Sequence, residues 1–453
     1  MLLGMTGSPP QRVFGFWICL ALVVGNMIGS GVYLIPGTLA PFGWNGVLGW
    51  LATIAGALCL AAVLGALSRA FPKAGGPYAY AREAFGPFAG FLIAWSYWAS
   101  LWVGNVAVAT GVVAPLTTIV PGLTPWSPVA TMGLLWGITG LNCWGAGATG
   151  RLQLVTTILK FVPLLAVILI AGLVIGRGGA AILPPLRPAD LHLLGGTGIS
   201  AAAAVTLWTF LGIESATIPA ERVADPRRTI PRATLAGTAI TGLVYLFACS
   251  SVALLLPAAE AAKSGAPIAD FVARYWGPAA GTAMALFAAI TAFGALNGWI
   301  LLQGEVPWAM AKDGALPAWL AKLSRRGTPV RAHLVSSVLL TLVMTTTFAR
   351  SLTELFKFLI LLGTVASLVP YLVCALALLR LRARARMPAT GAVILVAVLA
   401  ALYSIWAILG AGNEAMGWGA ALLASGAPVW LLMRKGRVGA AKPAPLVGPP
   451  VSP

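Results

Sequence analysis

The sequence predicts an all-α membrane protein of about twelve transmembrane helices, on three observations. The chain has 453 residues, 59% of them hydrophobic and 9% charged, with mean hydropathy +0.92, whereas soluble domains carry about 25% charged residues. Apolar stretches of about 20 residues, enough to cross a hydrocarbon layer roughly 30 Å thick, recur from end to end. Basic residues collect in alternate loops.

In order, the expected spans are Val13 to Pro36, Asn45 to Leu67, Phe88 to Val120, Val129 to Trp144, Leu152 to Ile175 and Leu194 to Pro219. Leu235 to Leu256, Ala280 to Met310, His333 to Thr347, Leu352 to Leu379, Thr390 to Leu409 and Gly417 to Leu432 follow. An even number of spans returns both termini to one side.

The net charge of +18 could suggest nucleic acid, but its placement reads as topology. Lys73 and Arg82 follow the second span, Arg151 the fourth, and Arg222, Arg227, Arg228 and Arg232 the sixth. Lys312, Lys322, Arg325, Arg326 and Arg331 follow the eighth, Arg380, Arg382, Arg384 and Arg386 the tenth, and Arg434, Lys435 and Arg437 the twelfth. That is the positive-inside pattern, which puts both termini in the cytoplasm. A basic patch facing lipid headgroups or nucleic acid is the lesser alternative.

The five cysteines, Cys19, Cys59, Cys143, Cys249 and Cys374, lie inside apolar spans without paired spacing. They read as small core hydrophobes, neither disulfides nor metal ligands. The first twelve residues are too polar for a secretory signal, so the first span is expected to be retained. The Pro-rich C-terminal stretch AAKPAPLVGPPVSP reads as disordered. Chemistry is therefore expected inside the bundle.

The first span contains Gly25-Asn26-Met27-Ile28-Gly29-Ser30-Gly31-Val32, followed by Pro36. Gly25 and Gly29 have the small-xxx-small spacing of close helix packing. Three glycines and a proline in one span also predict a break, because lipid offers the backbone no water and such irregularity survives only against protein or a cavity. A broken span exposes N–H groups at the start of its second half and C=O groups at the end of its first, a site for an anion beside a cation.

The sixth span repeats the irregularity from Thr206 to Glu221, with Gly212 in the middle and Pro219 at the end. Glu214 is one of very few carboxylates deep in an apolar run, and a carboxylate there is costly unless it functions or finds a partner. No Lys or Arg is evident at its depth, so Glu214 is the candidate for proton coupling.

Interruptions five spans apart point to a transporter built from two inverted repeats with its substrate held at mid-membrane. The expected organisation is a cytoplasmic tail over 1–12, a first repeat over 13–193 and a second over 194–388. Two additional helices over 389–433 and a cytoplasmic Pro-rich tail over 434–453 complete it.

Trp208 and Trp299 lie near mid-span beside a break or a glycine, where an aromatic face can hold a desolvated cation with about 2 kcal/mol, although either ring can equally be core packing. Asn105, in the third span's Tyr97–Asn105 stretch, can bind the same cation or simply bond between helices. Glu305 lies six residues beyond Trp299, on another helical face nearer the cytoplasm, without an assigned role.

With these residues assembled, the chain resembles the amino acid–polyamine–organocation (APC) superfamily, most closely the arginine:agmatine antiporters of its basic amino acid/polyamine antiporter group. The carriers are GNMIGSGV, PKAGGPYAYAREAFGPFAGF (Pro72 to Phe91), YWASLWVGN, VTLWTFLGIESA (Val205 to Ala216), GWILL (Gly298 to Leu302) and LVPYL (Leu368 to Leu372), and the likeness runs from about Val13 to Leu432. It implies a LeuT-like 5+5 inverted repeat with broken helices 1 and 6 in a bacterial inner membrane, often homodimeric. Such a protein exchanges a small cationic amino acid for its decarboxylated amine.

By motif position, the resemblance implies that backbone around Ser30 and Gly31 holds the α-carboxylate and carbonyls near Met27 and Trp208 the α-amino group. It places Asn26, Ser100, Leu101, Leu211 and Gly363 in the same pocket. Trp299 would stack on the distal cation while Asn105 hydrogen-bonds it. Trp208 would close over the substrate, and Tyr97, Glu214 and Tyr371 would form a second, protonation-sensitive gate. Ser100, Leu101, Val108 and Gly363 depart from the arginine transporters at the guanidinium end.

Three transport modes follow: arginine:agmatine exchange, its lysine:cadaverine or ornithine:putrescine equivalents, and proton-coupled uptake without exchange. An enzyme is disfavoured, because His192 and His333 lie at span ends and far apart, and nothing calls for a cofactor or metal. Neither the polar rings of a channel filter nor a phosphate-binding P-loop is visible. The expected partners are cationic amino acid and amine substrates and the lipid bilayer, without nucleic acid.

Overall fold

The computed structural model describes residues 10–347, 352–388, 390–410 and 413–435. The N-terminal tail up to residue 9 and the expected disordered stretch from 436 onward lie outside these residues.

Among the described residues the chain forms sixteen α-helices. The first span comprises α1 (Phe16–Met27), a 3₁₀ turn (Ser30–Tyr33) and α2 (Ile35–Leu39). Then come α3 (Trp44–Ala70), the short α4 (Pro77–Phe85), α5 (Pro87–Ile119), α6 (Ser127–Trp144) and α7 (Ala146–Gly178). The sixth span opens with α8 (Ile199–Leu207) and continues as 3₁₀ turns at Trp208–Phe210, Ile213–Ala216 and Ala220–Arg222. After it lie α9 (Pro226–Leu255), the short α10 (Ala258–Lys263) and α11 (Pro267–Trp276), and α12 (Pro278–Lys312). The last four are α13 (Val330–Thr347), α14 (Leu352–Ala383), α15 (Gly391–Gly410) and α16 (Asn413–Lys435).

Each expected span coincides with a helix or with an interrupted run of helix, and among the described residues nine spans are long and apolar enough to cross a membrane by length and composition. The protein is a multi-span all-α membrane protein. Two of the short elements outside the spans, α4 and α11, begin at Pro77 and Pro267, positions where proline costs a helix nothing.

Small residues let the helices approach, as expected where lipid supplies no hydrophobic drive between them. A Cβ on Gly25 would run into Gln153 and Thr157 of α7, and one on Gly49 of α3 would meet Ala202 and Ala203 of α8. Gly25 therefore does serve close packing, while a Cβ on Gly29 would meet only the Ala295 methyl, at 3.9 Å.

The basic residues that follow even-numbered spans knit together at one end. Glu83 of α4 binds Lys73 at 2.6 Å and Arg386 at 2.7 Å, Lys312 binds Glu221 at 2.6 Å, and Arg82 pairs with Asp313. Glu305 finds its partner there: Arg222 Nε donates to it at 2.6 Å while Nη1 donates to the Gly327 carbonyl at 2.8 Å. Both side chains are fully buried, so this pair pins the end of the sixth span to α12 and to the loop before α13. An isolated parallel bridge between Phe14 and Val223 ties the chain's start to the same point.

Of the cysteines, Cys19, Cys249 and Cys374 are buried and Cys59 and Cys143 half-buried, all as free thiols. His333, expected at a span end, sits at the start of α13 but is 1% exposed, packed over Gly304.

Candidate functional site

The first span stops where its glycines allow it to stop. Ile28 is extended (φ −80°, ψ 90°) and so is Gly29 (φ −107°, ψ −169°), after which the chain resumes as a 3₁₀ turn at Ser30. The sixth span stops at Leu211, extended at ψ 134°, and reverses through Gly212 at φ +108°, a left-handed conformation that favours glycine. The two breaks lie side by side: a Cβ at Gly212 would be 3.0 Å from that of Asn26.

A break leaves carbonyls without intrahelical donors, and here side chains supply them. Lys160 of α7, fully buried, donates to the carbonyl of Ile28 at 2.8 Å and also to that of Gly25. Tyr245 of α9 donates to the Met27 carbonyl at 2.8 Å, which also accepts from Gly29 N–H at 3.0 Å. Sequence reasoning missed Lys160, finding no cation at the depth of the breaks. Its ammonium sits at the negative end of the first half-helix, where a cation is favoured.

Between the breaks and α5, α12 and α14 lies a cavity of about 130 Å³, comparable to the roughly 150 Å³ that holds a benzene ring and suited to one compact solute. Asn26, Met27, Gly31, Ser100, Leu101, Asn105, Trp208, Leu211 and Trp299 all line it, as does Val108. No charged side chain is among the described lining residues. Ser30 and Gly363 fall on the described helices, but their side-chain surroundings lie outside the described residues. Sequence reasoning also missed Thr209, Ala295 and Ser367 in the wall; Ser367 lies one helical turn beyond Gly363 on α14, where periodicity points to it.

The Trp208 ring covers Gly31 so closely that a Cβ there would overlap its six-membered ring. Gly31→Ala is expected to push the ring aside and weaken ligand binding about tenfold or more. Binding affinity of the purified variant, beside a size-exclusion profile showing that it still folds, checks this.

Next to the cavity, three residues from distant spans meet. Tyr97 OH donates to Glu214 Oε1 at 2.5 Å, and Tyr371 OH donates to Glu214 Oε2. The same Tyr371 hydroxyl accepts the Gly212 N–H at 3.1 Å, so the cluster is fastened to the break itself. Glu214 is fully buried and pairs with no cation among the described residues. Ser100, which lines the cavity, donates to the Tyr97 carbonyl at 2.7 Å, linking cluster and cavity along α5.

Interrupted membrane-spanning helices around a cavity without a charged side chain among its described lining residues fit a solute transporter, with no nucleophile and base set for catalysis among the described residues. The comparisons agree. The chain belongs to the amino acid permease family, whose model matches residues 14–431, as the resemblance to the APC superfamily led one to expect. It is 33% identical over 433 aligned residues to a putative arginine/ornithine antiporter of Bacillus subtilis (strain 168), covering 88% of this chain and 92% of that protein. It is also 31% identical over 335 residues to the cadaverine/lysine antiporter of Escherichia coli (strain K12), with 74% of each chain covered. To the putrescine transporter PotE of the same strain it is 30% identical over 409 residues, covering 88% and 91%. These relatives place the chain with the basic amino acid/polyamine branch of the superfamily.

Proposed function

We propose that this protein exchanges a cationic amino acid for its decarboxylated amine across a bacterial inner membrane, with arginine and agmatine as the first pair to test. The observation that carries this is the cavity wall: two half-exposed tryptophans, Trp208 and Trp299, and the carboxamide of Asn105, without any carboxylate among the described lining residues. Such a wall attracts a cation by ring faces and amide oxygens, and holds it less tightly than a buried ion pair, which suits a solute that must leave again.

The opposite end takes the amino acid's carboxylate at the break around Ser30 and Gly31, where the second half of the first span starts and its first N–H groups lack intrahelical acceptors. Because both lone pairs of the Met27 carbonyl are engaged, the α-amino group falls to the Trp208 side of the pocket. Trp208 closes over the bound solute, and the Tyr97–Glu214–Tyr371 cluster is the second gate, opened or shut by the proton on Glu214. Spans one to five and six to ten are two inverted repeats, with the breaks in corresponding positions, and both termini are cytoplasmic.

A second reading, lysine:cadaverine or ornithine:putrescine exchange, is favoured by Leu101 and Val108, apolar groups in the wall that leave fewer acceptors for a five-donor guanidinium. All three of the relatives named above carry a substrate of this reading in their names, one of them beside arginine.

A thermal-shift series with arginine, agmatine, lysine, ornithine, putrescine and cadaverine ranks these directly, because a ligand of the native state raises its melting temperature according to RT ln(1 + [L]/Kd). Arginine and agmatine are expected to lead, and Trp299→Ala to weaken their binding by about thirtyfold. A larger shift with lysine and cadaverine selects the second reading. No shift with any of the six contradicts both.

A further inference from the structure

One wall residue is held in a way that fixes which end of its amide the solute meets. Asn105 is 1% exposed, and its Nδ2 donates to Gln303 Oε1 of α12 at 2.7 Å. Gln303 Nε2 donates in turn to Ser337 Oγ of α13 at 3.1 Å. Ser337 Oγ lies 2.8 Å from Thr139 Oγ1 of α6, and Thr139 donates to the Leu135 carbonyl at 2.8 Å. All four side chains are buried.

The far end of this chain sets its direction. A carbonyl only accepts, and a hydroxyl has one proton. Thr139 gives its proton to Leu135, so it must accept from Ser337. Ser337 has then spent its own proton and must accept from Gln303 Nε2, which turns Gln303 Oε1 toward Asn105. Asn105 thus commits its nitrogen to Gln303, and its Oδ1 accepts no hydrogen bond among the described residues while the residue lines the cavity.

We propose that Gln303, which does not line the cavity, is a positioning residue for substrate selectivity: it holds the Asn105 amide with its oxygen toward the solute, so that the distal subsite accepts donor-rich cations and rejects their neutral isosteres. This rests on the reading of the cavity as a cationic amino acid site. Without Gln303 the amide is free to turn and present its NH₂ group, which repels a guanidinium or ammonium and suits a neutral carbonyl. Nothing in the local sequence marks Gln303 for this task, since its effect runs through a partner 198 residues away.

The test compares arginine with citrulline, and lysine with norleucine, in proteoliposomes containing wild type, Gln303→Met, Asn105→Ala and the double variant. Gln303→Met is expected to raise the half-saturation concentration for the cationic member of each pair about tenfold. It should change the neutral member by less than about twofold and leave the maximal rate near wild type. In the Asn105→Ala background the same substitution should add nothing, because its effect passes through that amide. Ser337→Ala, which removes the acceptor of Gln303 Nε2, should shift selectivity in the same direction and serves if Gln303→Met does not fold. Equal losses for cationic and neutral solutes, or an undiminished effect of Gln303→Met without Asn105, would overturn the proposal. Absence of any cation preference in the wild type would instead overturn the reading of the site itself, before any variant is compared.

Discussion

Replacing Glu214 by glutamine is expected to leave exchange measurable but flat in its dependence on pH. The glutamine carbonyl can still accept from one tyrosine, yet the side chain no longer takes up or releases a proton. Glu214→Ala goes further, leaving the Tyr97 and Tyr371 hydroxyls facing each other across a hole in a fully buried site. A hydrogen bond to a charged group contributes about 1.5–3 kcal/mol, so losing the shared acceptor is expected to slow exchange by about ten- to a hundredfold. Initial uptake rates at acid and neutral pH for wild type and both variants separate the two effects. Wild-type pH dependence in Glu214→Gln would remove the carboxyl from the gating role and leave it as a structural clasp.

Lys160→Met is expected to be the most disruptive single change at the breaks. Methionine matches the lysine stem in length and adapts to its surroundings, so packing is conserved while the ammonium is lost. The carbonyls of Ile28 and Gly25, which that ammonium satisfies, are then buried without a donor, at a cost of about 1–3 kcal/mol each. The first half-helix also loses the cation at its negative end. Thermal unfolding of the purified variant should begin at lower temperature, and exchange should fall to background even in protein that folds. A variant with wild-type melting temperature and rate would show that the break is held by its other contacts, chiefly Tyr245 on the Met27 carbonyl.

These two residues also mark what a sequence can and cannot disclose. Glu214 is legible alone, as a carboxylate in an apolar run beside a glycine, and the break in the first span is legible because Gly25, Gly29 and Gly31 stand where a helix needs better formers. Lys160 carries the same kind of signal, one charge in the run from Leu152 to Ile175. Its role stays hidden because its partners are main-chain carbonyls, which no side-chain pattern reveals. Glu305 has no legible role for a related reason: Arg222, its partner, is 83 residues away and outside the expected spans.

The meeting of Tyr97 and Tyr371 on Glu214 spans 117 and 157 residues of sequence. No local periodicity encodes such a contact, and only the family resemblance brings the three together. The same holds for the cavity wall, where nearly all the motif positions fall on the lining. Hydrogen-bond direction at Asn105 is different again, since it follows from an anchored donor chain across four helices and exists only once they are packed. The spans, by contrast, can be read from hydropathy and loop charge because the bilayer imposes both on each segment separately.

Exchange of a cationic amino acid for its amine is tested most directly by counterflow. Radiolabelled arginine is added outside proteoliposomes that are empty, loaded with agmatine, or loaded with arginine. Uptake is expected only into the loaded vesicles, and to be suppressed by Trp299→Ala. Equal accumulation in empty vesicles under a proton gradient alone, or no uptake with either loading or with the lysine:cadaverine and ornithine:putrescine equivalents, would contradict it.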